Sequence, residues 1–161
     1  MNETCLNGAD LLDANFANAD LDNTDLTNAY FLGADLTNAR LSGAVLTNTV
    51  LLGAHLTNAA LSGADLINAD FNSANLSGAV IARANLTDAA LGNANLTDAY
   101  LESANLTHAF LSSAHLTNAV ISNASLSRAN LFGADLTNAT HDTRTVVTNV
   151  RTDATSHGLW W

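Results

Sequence analysis

Large apolar residues recur at every fifth position of the chain, from Leu6 to Leu136. We call each of them the centre of its pentad. All are leucines apart from Phe16, Phe31, Phe71, Ile81 and Ile121. Two positions before each centre stands a small residue, which is alanine except at Thr4, Thr24 and Thr49. The pattern predicts one repetitive element over residues 4–140, between the N-terminal residues 1–3 and a C-terminal tail or cap at 141–161.

A period of five residues excludes both a long α-helix and a long β-strand. Five residues advance an α-helix by about 500°, so the centres would be spread over all of its sides instead of forming one stripe. A strand alternates its side chains with a period of two. A short strand followed by a corner fits the pattern, because the small residue and the centre then both point inward. The residue between them and the residue after the centre point outward, and the fifth residue turns the corner.

Glycine and asparagine occupy most of the fifth positions, as at Gly33, Asn38, Gly43 and Asn48. These two residue types are the ones that best tolerate the left-handed φ angles of tight turns. Their placement therefore predicts one turn in every pentad.

Runs such as Ala34-Asp35-Leu36-Thr37-Asn38 and Ala64-Asp65-Leu66-Ile67-Asn68 resemble the A(D/N)LXX motif of pentapeptide-repeat proteins. The resemblance covers about 136 of the 161 residues. It implies an all-β fold, a right-handed quadrilateral parallel β-helix with about 20 residues and four pentads per coil, hence about seven coils here. Residues 20 apart would then stack on the same face at the spacing of neighbouring strands.

The chain is acidic, with fifteen Asp and Glu residues against five arginines, no lysine and a formal net charge of −10. This balance argues against direct nucleic-acid binding, which needs Lys and Arg to displace counterions from phosphates. It is compatible with a basic protein partner. The acidic residues are concentrated in the N-terminal third of the chain, where a candidate acidic patch consists of Asp10, Asp13, Asp20, Asp22, Asp25 and Asp35.

The 20-residue spacing predicts an apolar surface on one face of the solenoid. Leu12, Leu32 and Leu52 fall in one column, with Tyr30 and Val50 beside them. These five residues are the candidate contacts for an unknown protein partner, because exposed apolar patches of a few hundred Å² often mark binding sites. The alternative is that they only stack on one another along the ladder. A weaker apolar row on another face consists of Val80, Tyr100 and Val120.

The sequence predicts no catalytic site, no cofactor and no metal site. His55 and His115 share a column but would lie about 14 Å apart, too far to bind the same zinc ion. The serines are repeat positions without a paired base, which does not fit a catalytic triad. Cys5 is the only cysteine and thus excludes an internal disulfide.

Residues 1–10 lack the positive and apolar segments of a signal peptide. No stretch approaches the roughly 18 consecutive apolar residues of a membrane span. We therefore expect a cytoplasmic protein with no membrane partner.

The motif ends after Ala139, because His141 occupies the next centre position. Solenoid ends expose core and unpaired strand edges, which need covering. Leu159, Trp160 and Trp161 are the most apolar residues near the C-terminus. They are predicted either to cap the core of a monomer or to join two copies in an end-to-end homodimer.

The leading functional hypothesis is a non-enzymatic solenoid that binds or scaffolds proteins. An alternative comes from the family resemblance, because some pentapeptide-repeat proteins imitate duplex DNA, bind DNA gyrase and protect it from quinolones. The neutral residues at positions where an acidic DNA mimic would carry aspartate count against this alternative: Asn75, Asn85, Asn95 and Asn105. A minor alternative, a structural or ice-binding β-helix, is suggested by columns of threonines such as Thr27 and Thr47.

Overall fold

The computed structural model describes residues 6–161, so the predicted N-terminal residues 1–3, with Thr4 and Cys5, lie outside the described residues. Residues 6–161 contain neither an α-helix nor a strand longer than one bridge residue. Single-residue parallel β-bridges recur instead at every fifth residue from Asp10 to Thr140, and continue at Val146, Arg151 and His157. Within this part of the chain there is thus no helix able to cross a lipid bilayer.

Each pentad contains one β-turn. In the first described turn the backbone N–H of Ala9 donates to the carbonyl of Leu6 at 3.0 Å, and the same bond recurs up to Ala139 and Leu136. Every fifth residue from Gly8 to Asn138 has a positive φ, whereas the residue before it does not, which is the geometry of a type II turn. The predicted left-handed corner is confirmed.

Backbone hydrogen bonds join each pentad to the fourth pentad after it. Leu36 donates its N–H to the carbonyl of His55 at 2.7 Å, and His55 donates its own N–H to the carbonyl of Ala34 at 2.9 Å. The parallel bridge that results joins Asp35 to His55, and the same spacing holds from Asp10 to Thr140. The predicted stacking of each residue on its equivalent four pentads later is therefore confirmed.

The centres and the small residues fill the interior. Every centre from Leu21 to Leu136 is at most 6% exposed, and every small residue from Thr24 to Ala134 is buried as well. Thr49 keeps its buried hydroxyl satisfied by donating to the carbonyl of Leu26 at 2.8 Å. The predicted inward-facing pair is therefore confirmed for the pentads from Thr24 to Leu136.

Leu6, Leu11 and Phe16 are only partly buried, although they occupy centre positions. They belong to the first described coil and have neighbours on one side only. Phe16 packs edge-to-face on Phe31, with ring centroids 5.6 Å apart.

The bridges extend past residue 140, but their spacing widens. Ser125 pairs with Val146 and Asn130 with Arg151, each one position beyond the regular spacing, and Asp135 pairs with His157, two positions beyond it. The tail thus carries one extra residue near Asp142 and another near Asp153. At both places the aspartate side chain replaces a backbone carbonyl as the acceptor in the ladder, at Asn123 N–H (2.9 Å) and Gly133 N–H (3.2 Å).

Candidate protein-binding surface

The apolar residues predicted from the 20-residue spacing lie together at the N-terminal end of one face. We call Leu12, Tyr30, Leu32, Val50 and Leu52 the N-terminal cluster. Four of them are between 39% and 54% exposed, and Val50 is half-buried. Each one stands at a position where the repeat turns the side chain outward, so none of them is needed to fill the core.

The N-terminal cluster borders a shallow depression of about 340 Å³. Its lining is mostly apolar, from Leu12, Tyr30, Leu32 and Gly8, with the Asp10 carboxylate at its edge. Asp10 and Tyr30 are bridge partners, so the depression is lined by residues of two neighbouring coils. An apolar depression with one charge at its rim can hold an apolar side chain of a partner and orient a neighbouring cation.

Polar residues end the cluster on the side of the fourth coil. The Asp70 carboxylate accepts the N–H of Asn72 at 3.0 Å, and the Asn72 side chain accepts the N–H of Gly92 at 2.8 Å. These side chains satisfy backbone donors and leave no apolar surface to extend the cluster.

A second group on the same face was missed by the sequence reasoning. We call Phe110, Phe132 and Arg151 the C-terminal cluster. Phe110 is 53% exposed, and the Arg151 guanidinium lies 4.8 Å from the centre of the Phe132 ring. The signal was present in the sequence, because Phe110 belongs to the column of Tyr30 and Val50.

The weaker row on another face is also exposed in part. Tyr100 is 51% exposed and Val80 38%, whereas Val120 is half-buried. Beside Tyr100 lies a more polar depression of about 350 Å³, lined as well by Thr57, Asn58, Ser77, Gly78 and Asp98.

The six aspartates of the predicted acidic patch do not form one surface. They belong to six separate columns, because no two of them are separated by a full coil of four pentads. Two of them are paired with a cation, since Arg40 contacts Asp20 at 3.1 Å and also binds Asp22. The acidic end of the chain is therefore a belt around the first coils, partly neutralised by Arg40.

Several aspartates and asparagines between the small residue and the centre have a structural role. The Asp35 carboxylate accepts the N–H of Thr37 at 2.9 Å, and Asn95 does the same for Thr97 at 3.0 Å. Hydrogen bonds from the Thr37 hydroxyl and N–H lower the pKa of Asp35 below its ordinary range. The motif's D/N position is thus explained by local turn geometry.

Threonine hydroxyls in the outward columns are also engaged locally. Thr87 donates to the Asn85 side chain and Thr107 to that of Asn105, both at 2.6 Å. The Asn105 amide in turn donates to Asn85 at 3.2 Å, which ties neighbouring coils together.

His55 and His115 share a column, as predicted, with Asn75 and Asn95 between them. Among residues 6–161, no three His, Cys, Asp or Glu side chains come together in a way that would hold a metal ion.

The C-terminal residues lie against the end of the core. Leu159 and Trp160 are partly buried on it, and the Trp160 ring stacks on His141 with centroids 4.1 Å apart. Trp161 packs edge-on against Trp160 and stays 45% exposed. These residues therefore pack on the C-terminal end of the core and leave part of the Trp161 side chain exposed.

The sequence matches the family profile described as pentapeptide repeats, in eight copies, over residues 1–33, 39–78, 59–98, 79–118 and 99–138. No curated protein sequence matches the chain.

Three solved structures illustrate the likeness. HetL, a pentapeptide repeat protein involved in heterocyst differentiation regulation in Nostoc sp. strain PCC 7120, is 29% identical over 92% of this chain and 83% of its own, with a TM-score of 0.48. The pentapeptide repeat protein alr5209, also from Nostoc, is 34% identical over 62% and 76%, with a TM-score of 0.45. QnrB1, a plasmid-mediated fluoroquinolone resistance protein, is 20% identical over 96% and 87%, with a TM-score of 0.69.

At 20% identity the likeness to QnrB1 shows a common fold and nothing more. The profile, in contrast, covers most of the chain. The chain therefore belongs to the pentapeptide-repeat family, whose members form right-handed β-helix solenoids.

Proposed function

We propose that the chain is a non-enzymatic, four-sided solenoid of about seven coils that binds a partner protein through the N-terminal cluster. The observation that carries the proposal is the position of Leu12, Tyr30, Leu32 and Leu52. They are exposed side by side on one face, while the core is already filled by the centres and small residues. Apolar groups that neither fill the core nor close a turn cost solubility unless a partner covers them.

The arrangement suits protein recognition. Aromatic and aliphatic anchors in the middle of a contact, with polar residues around them, are typical of protein interfaces. Tyr30 supplies a large apolar ring with a hydroxyl, and the leucines form a rigid row on bridged coils. A rigid surface loses little conformational entropy on binding.

A second candidate is the acidic DNA mimic that binds DNA gyrase. Its support is the net charge of −10 together with the rod-like fold that the chain has in common with QnrB1. The pairing of Asp20 and Asp22 with Arg40 weakens it, as do the neutral ladders of Asn85 and Asn105. Ice binding has less support, because Thr87 and Thr107 donate their hydroxyls to neighbouring asparagines.

Affinity capture from the cell that makes the chain tests the proposal. The bait is compared with a Leu32→Glu/Leu52→Glu variant. Glutamate is compatible with this position of the pentad, since Glu102 occupies the same position on the opposite face. We expect the wild-type bait to retain a partner that the variant loses.

The matched control is Val45→Glu/Val80→Glu. These valines are 37% and 38% exposed, close to Leu52 at 39%, but belong to other columns. The control should retain the partner, and all three baits should show the same circular dichroism spectrum. A partner kept equally by the Leu32→Glu/Leu52→Glu variant would remove the N-terminal cluster from the proposal.

A further inference from the structure

The N-terminal and C-terminal clusters lie in the same two columns of one face. One column runs through the successive bridge partners Asp10, Tyr30, Val50, Asp70, Ala90, Phe110, Asn130 and Arg151. The other is the next outward position of the same pentads, with Leu12, Leu32, Leu52, Asn72, Gly92, Ser112 and Phe132. Bulky apolar side chains are thus found at both ends of this face, and small or polar side chains between them.

The charges at the two ends of the face are opposite. Asp10 and Asp13 lie beside the N-terminal cluster, and Arg151 belongs to the C-terminal cluster. Within residues 6–161, none of these three side chains forms an ion pair. Arg151 is exposed above the Phe132 ring, so its guanidinium is available to an external carboxylate.

We propose that the partner of this face is a second copy of the chain, lying side by side and antiparallel. The proposal rests on the proposed function, because it names the protein that covers the N-terminal cluster. The two-fold axis lies in the plane of the interface, perpendicular to the rod. It reverses the direction of the rod and places each column opposite the same column of the other copy. In such an isologous contact, every pairing occurs twice.

The register follows from the two columns. With the axis midway between the coils of Asp70 and Ala90, Asp10 stands opposite Arg151, and Val50 opposite Phe110. In the neighbouring column Leu32 faces Phe132. Tyr30 then faces Asn130, and Leu52 faces Ser112. Each apolar cluster is thus covered in part by the other, and Arg151 of one copy meets Asp10 of the other, neither of which forms an ion pair within its own copy.

The centre of the face fits the same register. Asn72 stands opposite Gly92, and Asp70 opposite Ala90, so each larger side chain meets a small one. A shift of the two-fold axis by half a coil, onto the level of Asp70, would place Asp70 against Asp70 of the other copy. A parallel pair would bring Arg151 to the same level along the rod as Arg151 of the other copy, and Asp10 to the level of the other Asp10, which like-charge repulsion disfavours.

The size of the face predicts a weak dimer. Seven steps of about 4.8 Å and a strand of about three residues give a flat area of about 34 Å by 10 Å. That is less than half of the roughly 800 Å² per partner of a standard interface. We therefore expect a reversible dimer with a dissociation constant in the micromolar to millimolar range.

Sedimentation equilibrium of the whole chain from about 10 μM to 1 mM at low salt tests the inference. The weight-average mass of the wild-type chain should rise with concentration from 16.7 kDa towards twice that value. Phe110→Asn should remain at the monomer mass over the same range. Tyr100→Asn is the control: it removes an aromatic ring of the same exposure from the same pentad position on another face, and should dimerise like the wild type.

A charge exchange distinguishes this contact from unspecific apolar association. Asp10→Arg and Arg151→Asp alone should each weaken the dimer, and the double variant should recover it. A monomer mass for the wild type at 1 mM, equal dimerisation of Phe110→Asn, or no recovery in the double variant would each overturn the inference. A monomeric wild type that still captures another protein through Leu32 and Leu52 would overturn only the inference and leave the proposed function in place.

Discussion

The Asp142 carboxylate accepts the backbone N–H of Asn123 at 2.9 Å, where the regular repeat would offer a backbone carbonyl. The same carboxylate binds the Arg144 side chain at 2.9 and 3.0 Å. Thr145 completes the corner by donating its hydroxyl to the carbonyl of Ile121 at 3.1 Å. One aspartate therefore maintains the ladder at the point where an extra residue enters the last coil.

This relationship predicts acid sensitivity at the C-terminal end. The Asn123 N–H, followed by the Arg144 guanidinium, lowers the pKa of Asp142 to about 2 from its ordinary value of 3.8. A depressed folded-state pKa stabilises the fold fully above about pH 4, and this contribution is lost as the pH falls towards 2. Thermal unfolding followed by circular dichroism between pH 2 and pH 6 should show Tm falling in this window.

Asp142→Asn should lower Tm at pH 6 and reduce its change between pH 4 and pH 2, because the ionised acceptor is gone. Part of the dependence should remain, since hydrogen bonds also lower the pKa of Asp35 and Asp135. Asp70→Asn serves as the control and should leave Tm at pH 6 nearly unchanged, because Asn75 makes the same turn bond in another pentad. The same Tm profile for Asp142→Asn and the wild type would contradict this role.

Gly158 allows the C-terminal residues to lie on the core, and Gly158→Ala should dislodge them. Gly158 has a φ of +70°, and an added Cβ would lie 2.3 Å from the carbonyl carbon of Leu136 and 2.4 Å from the nitrogen of Thr137. Backbone atoms cannot yield as a flexible side chain can. Since the only tryptophans are Trp160 and Trp161, their fluorescence emission should shift to longer wavelength in the variant.

Gly53→Ala is the matched control. Gly53 has a similar φ of +65°, but an added Cβ would meet no atom within 4 Å. This variant should cost about 1 kcal/mol through φ strain and leave the tryptophan emission unchanged. Unchanged emission in Gly158→Ala as well would show that the C-terminal residues do not depend on this close approach.

The position of a leucine along the rod should determine how much its replacement by alanine lowers the free energy of unfolding. Leu66→Ala removes a fully buried side chain with coils on both sides, and should destabilise the fold by about 2–5 kcal/mol. Leu11→Ala acts on a partly buried residue of the first described coil and should cost clearly less. Urea unfolding of the two variants measures the difference, and equal costs would contradict the burial gradient.

The acidic chain should not act on DNA gyrase. At micromolar concentration we expect it neither to inhibit supercoiling nor to protect the enzyme from a quinolone, because Asn85 and Asn105 place neutral amides along the rod. A supercoiling assay with and without the drug checks this. Inhibition or protection by the chain would favour the DNA-mimic alternative over the binding solenoid.

The repeat made most of the architecture predictable from the sequence. The period of five identified the buried centres, such as Leu66, and the left-handed corners, and the family resemblance supplied the stacking of every fourth pentad. The prediction succeeds because each pentad packs against other pentads of the same pattern. The spacing along the sequence therefore also gives the tertiary contacts.

The departures from the repeat were less predictable. At the last two corners, Asp142 and Asp153 accept hydrogen bonds from residues about one coil earlier in the chain. The five-residue pattern does not predict these bonds. The acidic residues looked like one patch because they are close in sequence, yet the coil distributes them around the rod. Phe110 was missed because Asp70 and Ala90 separate it from Val50 in their common column, so that it does not extend the predicted apolar row.

The most direct test of the central claim is the affinity of the captured partner for three purified chains: the wild type, Leu32→Glu/Leu52→Glu and Val45→Glu/Val80→Glu. Isothermal titration calorimetry gives the dissociation constant of each. Losing two leucine contacts should weaken binding at least about tenfold, or about 1.4 kcal/mol. We predict this loss for Leu32→Glu/Leu52→Glu and an unchanged constant for the control. Equal dissociation constants for all three chains would contradict the claim that the N-terminal cluster is the binding surface.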